Sequence, residues 1–397
     1  MFLYNKERNG RIPNEFNFSK TPDLVWKMQF KQNPIRCAES TPVIDAENNI
    51  YFGSHDGSFY CLDTNGIVKW QFVTESKIYS SPLIHNNYIF FNFGRSKMAC
   101  LDLHGNTRWI FDGMSKLKNK SKLYIGFSHL KSYLHYDYEF KKFMKINAWS
   151  SPNILSDGTI LTVLCSSGLI AIDANTGIEK WTYHPGNLFY HQAGVAVSKI
   201  NGEERIYFVS QGNGLHVLDT TGKLIWEKKS IPGFNGWANP SVDPEDKALY
   251  HSISKDNKSS RLYKHSLDGK LLWEQKFNFG CRATVGVSTG DFVCFLGLNG
   301  KVYTLNKKDG TILAELAIAS SDRGLWTSPA ILNNGSILIN TKKSLSKGSL
   351  ICLSKELEIL WEINYGKALS VPFVDQRGYL YTGTWNGDYY KFKESDL

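Results

Sequence analysis

A pattern that recurs eight times along the 397-residue sequence is the feature that most constrains its fold. Each copy opens with a small residue, often followed by proline, and an aliphatic run. An apolar strand ending in Gly or Ser comes next, followed by a turn and an alternating strand that ends in Leu-Asp. A glycine and, four positions later, a tryptophan complete the copy, as at Gly66 and Trp70. The opening proline or its equivalent lies at Pro42, Pro82, Pro152, Val195, Pro240, Val285, Pro329 and Pro372.

The spacing of the copies indicates the architecture. Six of the seven steps are 40–45 residues long, and the step from Pro82 to Pro152 is 70 residues. Each copy holds four short strands separated by Gly, Asn or Asp turns, without a segment of helical periodicity. Four antiparallel strands in each such step are typical of a propeller blade. The sequence therefore predicts an all-β fold, an eight-bladed β-propeller of four-stranded antiparallel blades.

The two ends of the chain predict how the ring closes. The eighth copy stops after residues 388–392 without a closing Trp strand, whereas residues 24–30 form an orphan strand that carries Trp26. We expect this N-terminal strand to complete the last blade, because an unpaired edge between the first and last blades would invite aggregation. On this interpretation, residues 1–21 are an N-terminal tail and residues 22–397 are a single propeller domain.

The repeat assigns several chemically suggestive residues to the scaffold. The Trp column is expected to pack between blades. Cys61, Cys100 and Cys352 share one repeat position, and equivalent positions in a ring are far apart, so these thiols are interpreted as small buried hydrophobic residues. Asp63, Asp102, Asp173 and Asp219 precede tight turns, where aspartate accepts local backbone hydrogen bonds. No metal site is predicted.

These repeats resemble those of the PQQ-like (quinoprotein alcohol dehydrogenase-like) β-propeller family, whose blades carry an Ala/Gly-x-x-x-Trp docking signature. The resemblance covers roughly residues 22–394. The family includes quinoprotein alcohol dehydrogenases and the lipoprotein scaffold of the outer-membrane barrel assembly machinery. The dehydrogenases have an adjacent Cys-Cys disulfide over the cofactor and acidic calcium ligands. This sequence has neither a Cys-Cys pair nor a c-type haem motif, so PQQ-dependent dehydrogenase activity is disfavoured and no cofactor is predicted.

The resemblance also implies where a binding site would lie. In this family the strand after the Trp strand is innermost, so the turn leading into it rims the central channel. The residue three positions before each opening proline varies in type from copy to copy, unlike a purely structural position. These residues are Glu39, Tyr79, Trp149, Gln192, Trp237, Arg282, Trp326 and Leu369, with Arg323 nearby and Trp385 in a turn expected on the same face.

Aromatic faces with a few charged groups suit a small anionic or aromatic ligand, or an extended peptide or protein. The alternative is that these side chains only plug the channel. Two histidines near the mouth are candidate general bases, His191 and His55. His55 precedes Asp56, which could orient its imidazole, although Asp56-Gly57 is also an ordinary hairpin turn.

The long step between copies leaves an insertion at about residues 112–147, rich in lysine and tyrosine. We interpret it as an extended hairpin or lid that projects from the third blade. A basic and aromatic insertion could contact RNA, an acidic protein or a membrane surface. The alternative is a solvated excursion that covers one face of the propeller.

Composition limits the function classes. Lys and Arg number 46 against 37 acidic residues, and the net charge of +9 permits an anionic partner without specifying nucleic acid. No apolar run is long enough to span a membrane, and the first ten residues lack the apolar region of a secretion signal. Seven cysteines without a Cys-x-x-Cys motif predict reduced thiols and a cytoplasmic location.

Two functions therefore follow from the sequence as hypotheses. The favoured one is a non-catalytic propeller that binds a ligand or protein, or supports an assembly, at the channel mouth. The alternative is a cofactor-independent lyase, cyclase or isomerase at the same mouth, with His191 or His55 as the base and Arg282 or Arg323 holding an anion.

Overall fold

The computed structural model describes residues 5–13, 15–29, 40–74, 76–94, 96–113, 149–164, 168–185, 193–210, 212–320, 325–343 and 347–395. Within these ranges, the strands form eight four-stranded sheets with antiparallel neighbours. The predicted eight-bladed propeller is confirmed. The insertion predicted at about residues 112–147 lies outside the described residues from residue 114 onwards.

The chain builds blades 1–7 in turn, each from its innermost to its outermost strand. Blade 8 takes its outermost strand from the N-terminus, β1 (Asp23–Gln29). Blades 1 and 2 comprise β2 (Val43–Ile44), β3 (Ile50–Gly53), β4 (Ser58–Leu62), β5 (Val68–Val73), β6 (Leu83–His85), β7 (Tyr88–Phe93), β8 (Lys97–Asp102) and β9 (Thr107–Asp112). Blades 3 and 4 comprise β10 (Asn153–Ile154), β11 (Thr159–Leu164), β12 (Gly168–Asp173), β13 (Glu179–Tyr183), β14 (Val195–Ile200), β15 (Glu203–Ser210), β16 (Gly214–Leu218) and β17 (Leu224–Lys228).

The remaining strands follow in the same order. Blades 5 and 6 comprise β18 (Ser241–Asp243), β19 (Ala248–Lys255), β20 (Ser259–Ser266), β21 (Leu271–Phe277), β22 (Gly286–Val287), β23 (Phe292–Leu296), β24 (Lys301–Asn306) and β25 (Ile312–Ala317). Blades 7 and 8 comprise β26 (Ala330–Ile331), β27 (Ile337–Asn340), β28 (Lys347–Leu353), β29 (Ile359–Gly366), β30 (Phe373–Val374), β31 (Tyr379–Gly383) and β32 (Asp388–Lys393). The innermost strands β10, β14, β18, β22 and β26 contact one another in chain order, which places them around the central channel.

The ring closes as predicted, because β1 pairs antiparallel with β32. Trp26 lies opposite Lys391, and Met28 lies opposite Tyr389. Across the junction, Phe52 of blade 1 stacks on Tyr389 of blade 8 with ring centroids 4.4 Å apart. Strands from the two ends of the chain therefore share one sheet, and aromatic packing joins that sheet to the first blade.

Tryptophans join successive blades, which confirms the predicted role of the Trp column. The Trp70 indole lies 2.9 Å from the position that a Cβ on Gly105 would occupy, and its Nε1 donates to the carbonyl of Leu103 at 3.0 Å. Only a glycine leaves room for the ring there, and each of these glycines has a positive φ. The same contact recurs in the pairs Trp26–Gly66, Trp109–Gly177, Trp181–Gly222, Trp226–Gly269 and Trp273–Gly310.

The scaffold roles of the cysteines and aspartates are also confirmed. Cys61, Cys100 and Cys352 are buried, and each lies opposite the tryptophan of its own blade. Asp219 accepts backbone N–H bonds from Thr221 at 2.9 Å and Lys223 at 3.0 Å, as expected for a tight turn. Asp63, Asp102 and Asp173 accept equivalent bonds in their own turns.

Candidate functional site at the channel rim

A belt of hydrogen bonds between blades positions the rim. The backbone N–H of the residue before the opening proline, or its equivalent, donates to a side-chain oxygen of the equivalent residue in the next blade. Thr41 donates to Ser81 Oγ at 2.8 Å, and Ser81 donates to Ser151 Oγ at 2.9 Å. The same link runs from Gly194 to Asn239, from Asn239 to Thr284 and from Thr284 to Ser328. This small polar residue therefore holds the rim residue two positions earlier.

Arg282 lies between two tryptophans of neighbouring blades on this rim. Its guanidinium carbon is 4.6 Å from the centroid of the Trp237 ring and 4.4 Å from that of the Trp326 ring. The three residues occupy the predicted column in blades 5, 6 and 7, and we call them the Arg282–tryptophan cluster. Arg282 Nε is buried and has no hydrogen-bond partner among the described residues. Trp326 is 39% exposed, so the cluster reaches solvent.

The charge of Arg282 survives this environment. Burial lowers the pKa of its guanidinium from the ordinary value, and the nearby carboxylate of Asp256 acts in the opposite direction. An arginine in a protein keeps its proton at neutral pH. Because both faces of the guanidinium are covered by indoles, its N–H groups at the edge are the groups left for an anion.

Tyr79 and Trp149 form a second aromatic cluster on blades 2 and 3. Their rings stack with centroids 4.4 Å apart and an angle of 13° between the planes. The buried His55 of blade 1 packs against Tyr79 at 4.1 Å. Asp56 accepts hydrogen bonds from the Ser58 backbone N–H at 2.8 Å and the Tyr60 hydroxyl at 2.7 Å, which is the structural role of a hairpin turn.

A lysine lies against the predicted rim residue of blade 8. Lys367 Nζ is 2.9 Å from the centroid of the Trp385 ring, and Lys342 Nζ of blade 7 is 6.0 Å from it. The Trp385 backbone N–H donates to the Lys367 carbonyl at 2.7 Å. A cation on an aromatic ring therefore occurs twice among the described rim residues, and attraction to the electron-rich ring face favours this arrangement.

Four predicted site residues lie outside the described residues: Glu39, His191, Gln192 and Arg323. His191 as a catalytic base and Arg323 as an anion holder therefore stay predictions. The described members of the column pair up according to blade order, with Tyr79 beside Trp149 and Trp237 beside Arg282 beside Trp326.

Further along the inner strands, away from the rim, residues 5–12 of the chain lie against the channel wall. We call them the N-terminal segment. In four successive blades, the backbone N–H two residues after the opening proline or its equivalent donates to a carbonyl of this segment. The pairs are Val197 to Lys6, Val242 to Glu7, Val287 to Asn9 and Ile331 to Gly10, at 2.8–2.9 Å. Part of the tail assigned to residues 1–21 thus bridges blades 4–7.

Arg8 anchors the N-terminal segment, and sequence reasoning missed it. Its side chain is fully buried, Nε donates to the Val195 carbonyl at 3.1 Å, and Nη2 donates to the carbonyls of Ser151 and Pro152 at 3.1 and 2.6 Å. Burial lowers the pKa of Arg8 to about 9. Because its partners are backbone carbonyls, no spacing of residue types indicated this contact.

Two cavities lie away from the rim. One of about 370 Å³ is formed by blades 6 and 7, with Ala317, Lys343 and Glu362 among its lining residues. The other, of about 150 Å³, lies between blades 4 and 5 and contains His251 and His265, which sequence reasoning did not single out. Within the part of the chain that the structure describes, no three His, Cys, Asp or Glu side chains converge as metal ligands. That part also contains no helix with the length and apolar character needed to cross a bilayer.

Fold and rim together define a β-propeller with aromatic rings and cations at one mouth of its channel. The sequence model of the family PQQ_2, described as outer membrane protein assembly factor BamB, matches residues 148–236. The matched residues carry the PQQ-like repeat that the resemblance implied, and the fold of the chain is that of an eight-bladed β-propeller.

Solved structures of similar fold cover nearly the whole chain. BamB from Moraxella catarrhalis has a TM-score of 0.68 and 17% sequence identity, and the match covers 94% of this chain and 98% of that one. The computationally designed Ika8 protein has a TM-score of 0.61 and 12% identity, covering 94% and 100%. Quinohemoprotein alcohol dehydrogenase from Comamonas testosteroni has a TM-score of 0.60 and 14% identity, covering 100% and 80%. At these identities, the likeness shows the fold alone.

Two characterised proteins match a short stretch of the sequence. The beta-alanine-activating enzymes of Homo sapiens and Mus musculus are 42% and 40% identical to this chain over 43 residues. That stretch is 11% of this chain and 4% of each enzyme, so the match covers a small fraction of the enzymes' length.

Proposed function

We propose that this propeller is a binding or assembly module that docks an extended protein segment on its rim, through acidic and apolar side chains of the partner. The Arg282–tryptophan cluster is the observation that carries the proposal. Its cation is held between two indoles, and one of these, Trp326, is 39% exposed. Tryptophan and arginine are the residue types most enriched among the energetically dominant residues of protein interfaces.

The chemistry of the cluster favours a carboxylate in the partner. The edge of a guanidinium can donate two parallel hydrogen bonds to one carboxylate. The buried Nε of Arg282 has no hydrogen-bond partner among the described residues, so a carboxylate that binds there does not displace one. Lys367 and Lys342 near Trp385 place further positive charge on the rim. The chain as a whole carries a net charge of +9, which favours encounter with an acidic partner.

The scaffold supports a preorganised site. The belt from Thr41 through Ser81 to Ser151 ties together the rim turns of blades 1–3, and its counterpart from Gly194 to Ser328 ties together those of blades 4–7. A rim that does not have to be ordered on binding loses less conformational entropy. The description of BamB as an assembly factor adds support by analogy of fold.

The other functional hypotheses involve residues that are only partly described. The alternative, a cofactor-independent lyase, cyclase or isomerase, uses His191 or His55 as the base and Arg282 or Arg323 as the anion holder, and of these four residues His191 and Arg323 lie outside the described residues. Nucleic-acid binding depends on residues 112–147, of which only 112 and 113 are described. PQQ-dependent dehydrogenase activity stays disfavoured. A cytoplasmic location and the absence of a cofactor stay predictions.

Site-specific photocrosslinking tests the proposed docking face. A photoreactive phenylalanine analogue replaces Trp326 in one variant and Ile225 in another, since Ile225 is 43% exposed on an outer strand of blade 4. We expect a defined protein adduct at position 326 and none at position 225. The crosslinked segment is then synthesised, and its affinity is measured by titration calorimetry.

The affinity measurement separates binding from stability. Arg282→Ala and Trp326→Ala should each weaken binding at least about tenfold, as residues that dominate an interface do. Ile225→Ala should leave binding unchanged, and the midpoint of urea unfolding should stay near that of the parent protein. Equal adducts at both positions, or early unfolding of the rim variants with unchanged affinity, would identify the rings as structural plugs.

A further inference from the structure

The cavity between blades 4 and 5 contains two histidines at positions that the other blades fill mostly with apolar residues. His265 directly follows the residue that lies opposite Trp273. The equivalent residues in the other seven blades are all apolar: Leu62, Leu101, Ile172, Leu218, Leu305, Leu353 and Phe392. Blade 5 therefore differs from the other seven blades at this position of the repeat.

His251 departs from the repeat in the same blade. It lies opposite Tyr263, and the equivalent positions carry Phe52, Phe91, Thr162, Phe208, Phe295, Ile339 and Thr382. The rings of His251 and His265 stack with centroids 5.2 Å apart, and His251 also stacks on Tyr263 at 5.0 Å. Two polar residues have thus been placed side by side in an interface between blades.

One ring nitrogen of each of these histidines lacks a hydrogen-bond partner among the described residues. His251 and His265 are 4% and 3% exposed, and Nδ1 of each is buried without a hydrogen-bond partner there. A buried polar group without a partner destabilises a protein, so it points to a ligand or a functional constraint. The cavity of about 150 Å³ beside them is larger than the roughly 30 Å³ that one water occupies in the liquid.

The charges around the cavity favour an anion. Lys228, Lys229 and Ser230 of blade 4 line its lip. From blade 5, Arg261 faces Tyr263, and its charge is balanced by Glu274 at 2.6 Å. Burial, together with the nearby charge of Lys228, lowers the pKa of His265 to about 4, so the imidazole is neutral near pH 7.

We propose that the cleft between blades 4 and 5 is a binding site for a small oxyanion, which accepts hydrogen bonds from His251 and His265 and is attracted by Lys228 and Lys229. Phosphate and sulfate are the simplest members of this class. The anion stabilises the protonated imidazoles, so its binding is accompanied by proton uptake and strengthens as the pH falls. This site is distinct from the rim and independent of the function proposed there.

The test uses sulfate, whose charge does not change between pH 6 and pH 8, with chloride at matched ionic strength as the reference. We expect sulfate to raise the melting temperature of the whole protein and to bind at least about tenfold more tightly at pH 6 than at pH 8, because one proton is taken up per anion. Inorganic phosphate and glycerol 3-phosphate at pH 6 then distinguish a free anion from the phosphate group of a larger molecule, according to which binds more tightly.

Variants that restore the repeat make the test specific. His265→Leu and His251→Phe replace each histidine by the residue common in its column, so both should fold, melt about 2 °C or more above the parent without sulfate, and lose the sulfate response. Lys228→Ala should weaken sulfate binding severalfold, whereas Lys301→Ala, which removes an exposed lysine of blade 6, should not. An equal sulfate response in the parent and both histidine variants, or no response in the parent, would overturn the proposal.

Discussion

Arg8 Nη2 donates a 2.6 Å hydrogen bond to the carbonyl oxygen of Pro152, 144 residues away along the chain. The same side chain also bonds the carbonyls of Ser151 and Val195, so one guanidinium joins the starts of the inner strands of blades 3 and 4. The N-terminal segment is therefore a second closure of the ring, in addition to the pairing of β1 with β32.

Arg8→Ala should destabilise the protein by about 3 kcal/mol, because buried carbonyls lose a charged donor and a cavity replaces a fully buried side chain. The free energy of unfolding in urea measures this effect. Arg108→Ala is the matched control, since Arg108 is exposed on blade 2 and should change stability by less than about 0.5 kcal/mol. Similar losses in the two variants would contradict the anchoring role.

The glycines under the tryptophans provide a second prediction. Gly222 and Gly202 have φ values of +84° and +88°, so alanine is strained at both positions by about 1 kcal/mol. A Cβ on Gly222 would lie 2.6 Å from the Trp181 ring, whereas a Cβ on Gly202 meets no atom within 4 Å. Gly222→Ala should therefore cost about 1–3 kcal/mol more than Gly202→Ala, measured by urea unfolding. Equal costs would mean that the ring moves aside freely.

The buried histidines predict a dependence of stability on pH. The pKa of His265 is lowered from its ordinary 6.5 to about 4, so between these values the unfolded state binds more protons than the folded state. The free energy of unfolding therefore falls as the pH falls through this window. From pH 7 to pH 5, the parent should lose about 2 kcal/mol more than His265→Leu, with chloride as the only added salt. An identical loss in both proteins would mean that folding does not lower the pKa of His265.

The buried carboxylate of Asp243 should contribute far more to stability than the exposed carboxylate of Glu245. Asp243 is fully buried between Arg11 at 2.8 Å and Lys307 at 2.7 Å. Burial raises the pKa of Asp243, but the hydrogen bond from Lys307 and the charges of Arg11 and Lys307 outweigh burial, and the net pKa is lowered. Asp243→Asn should cost about 3 kcal/mol at pH 7, because Lys307 is left buried without its counterion.

Glu245 is the control for this ion pair. It also contacts Arg11, at 2.7 Å, but its side chain is 68% exposed. Glu245→Gln should therefore cost less than about 1 kcal/mol. Because the folded pKa of Asp243 is lowered, its contribution is present above the ordinary carboxyl pKa near 4 and is lost as the pH falls. The difference between parent and Asp243→Asn should accordingly shrink in urea titrations at acidic pH.

The fold was predictable from the sequence because one unit of structure repeats at a nearly constant interval. The orphan Trp26 strand even indicated which strand closes the ring, since blade 8 lacks its own tryptophan. The neighbours within the rim were also predictable: residues in one column of successive blades lie side by side, as Trp237, Arg282 and Trp326 do.

Two other features were not predicted from the sequence, for different reasons. The N-terminal segment accepts hydrogen bonds from the inner strands through its backbone carbonyls, at Lys6, Glu7, Asn9 and Gly10. Because every residue type has a backbone carbonyl, the sequence does not indicate these contacts. His265, in contrast, was detectable in principle, because it interrupts a column of leucine, isoleucine and phenylalanine. It was missed because the rim column varies far more from blade to blade.

The pairing of β1 with β32 also has a consequence for folding during translation. Among the described strands, β1 is synthesised before the others, and it can pair only after β32 has left the exit tunnel. The carbonyls of residues 6, 7, 9 and 10 likewise have no partners until blades 4–7 have been synthesised. Early blades can assemble during translation, but the closed ring cannot. We therefore expect nascent chains to expose unpaired strand edges of the first and last blades until β32 has emerged from the ribosome.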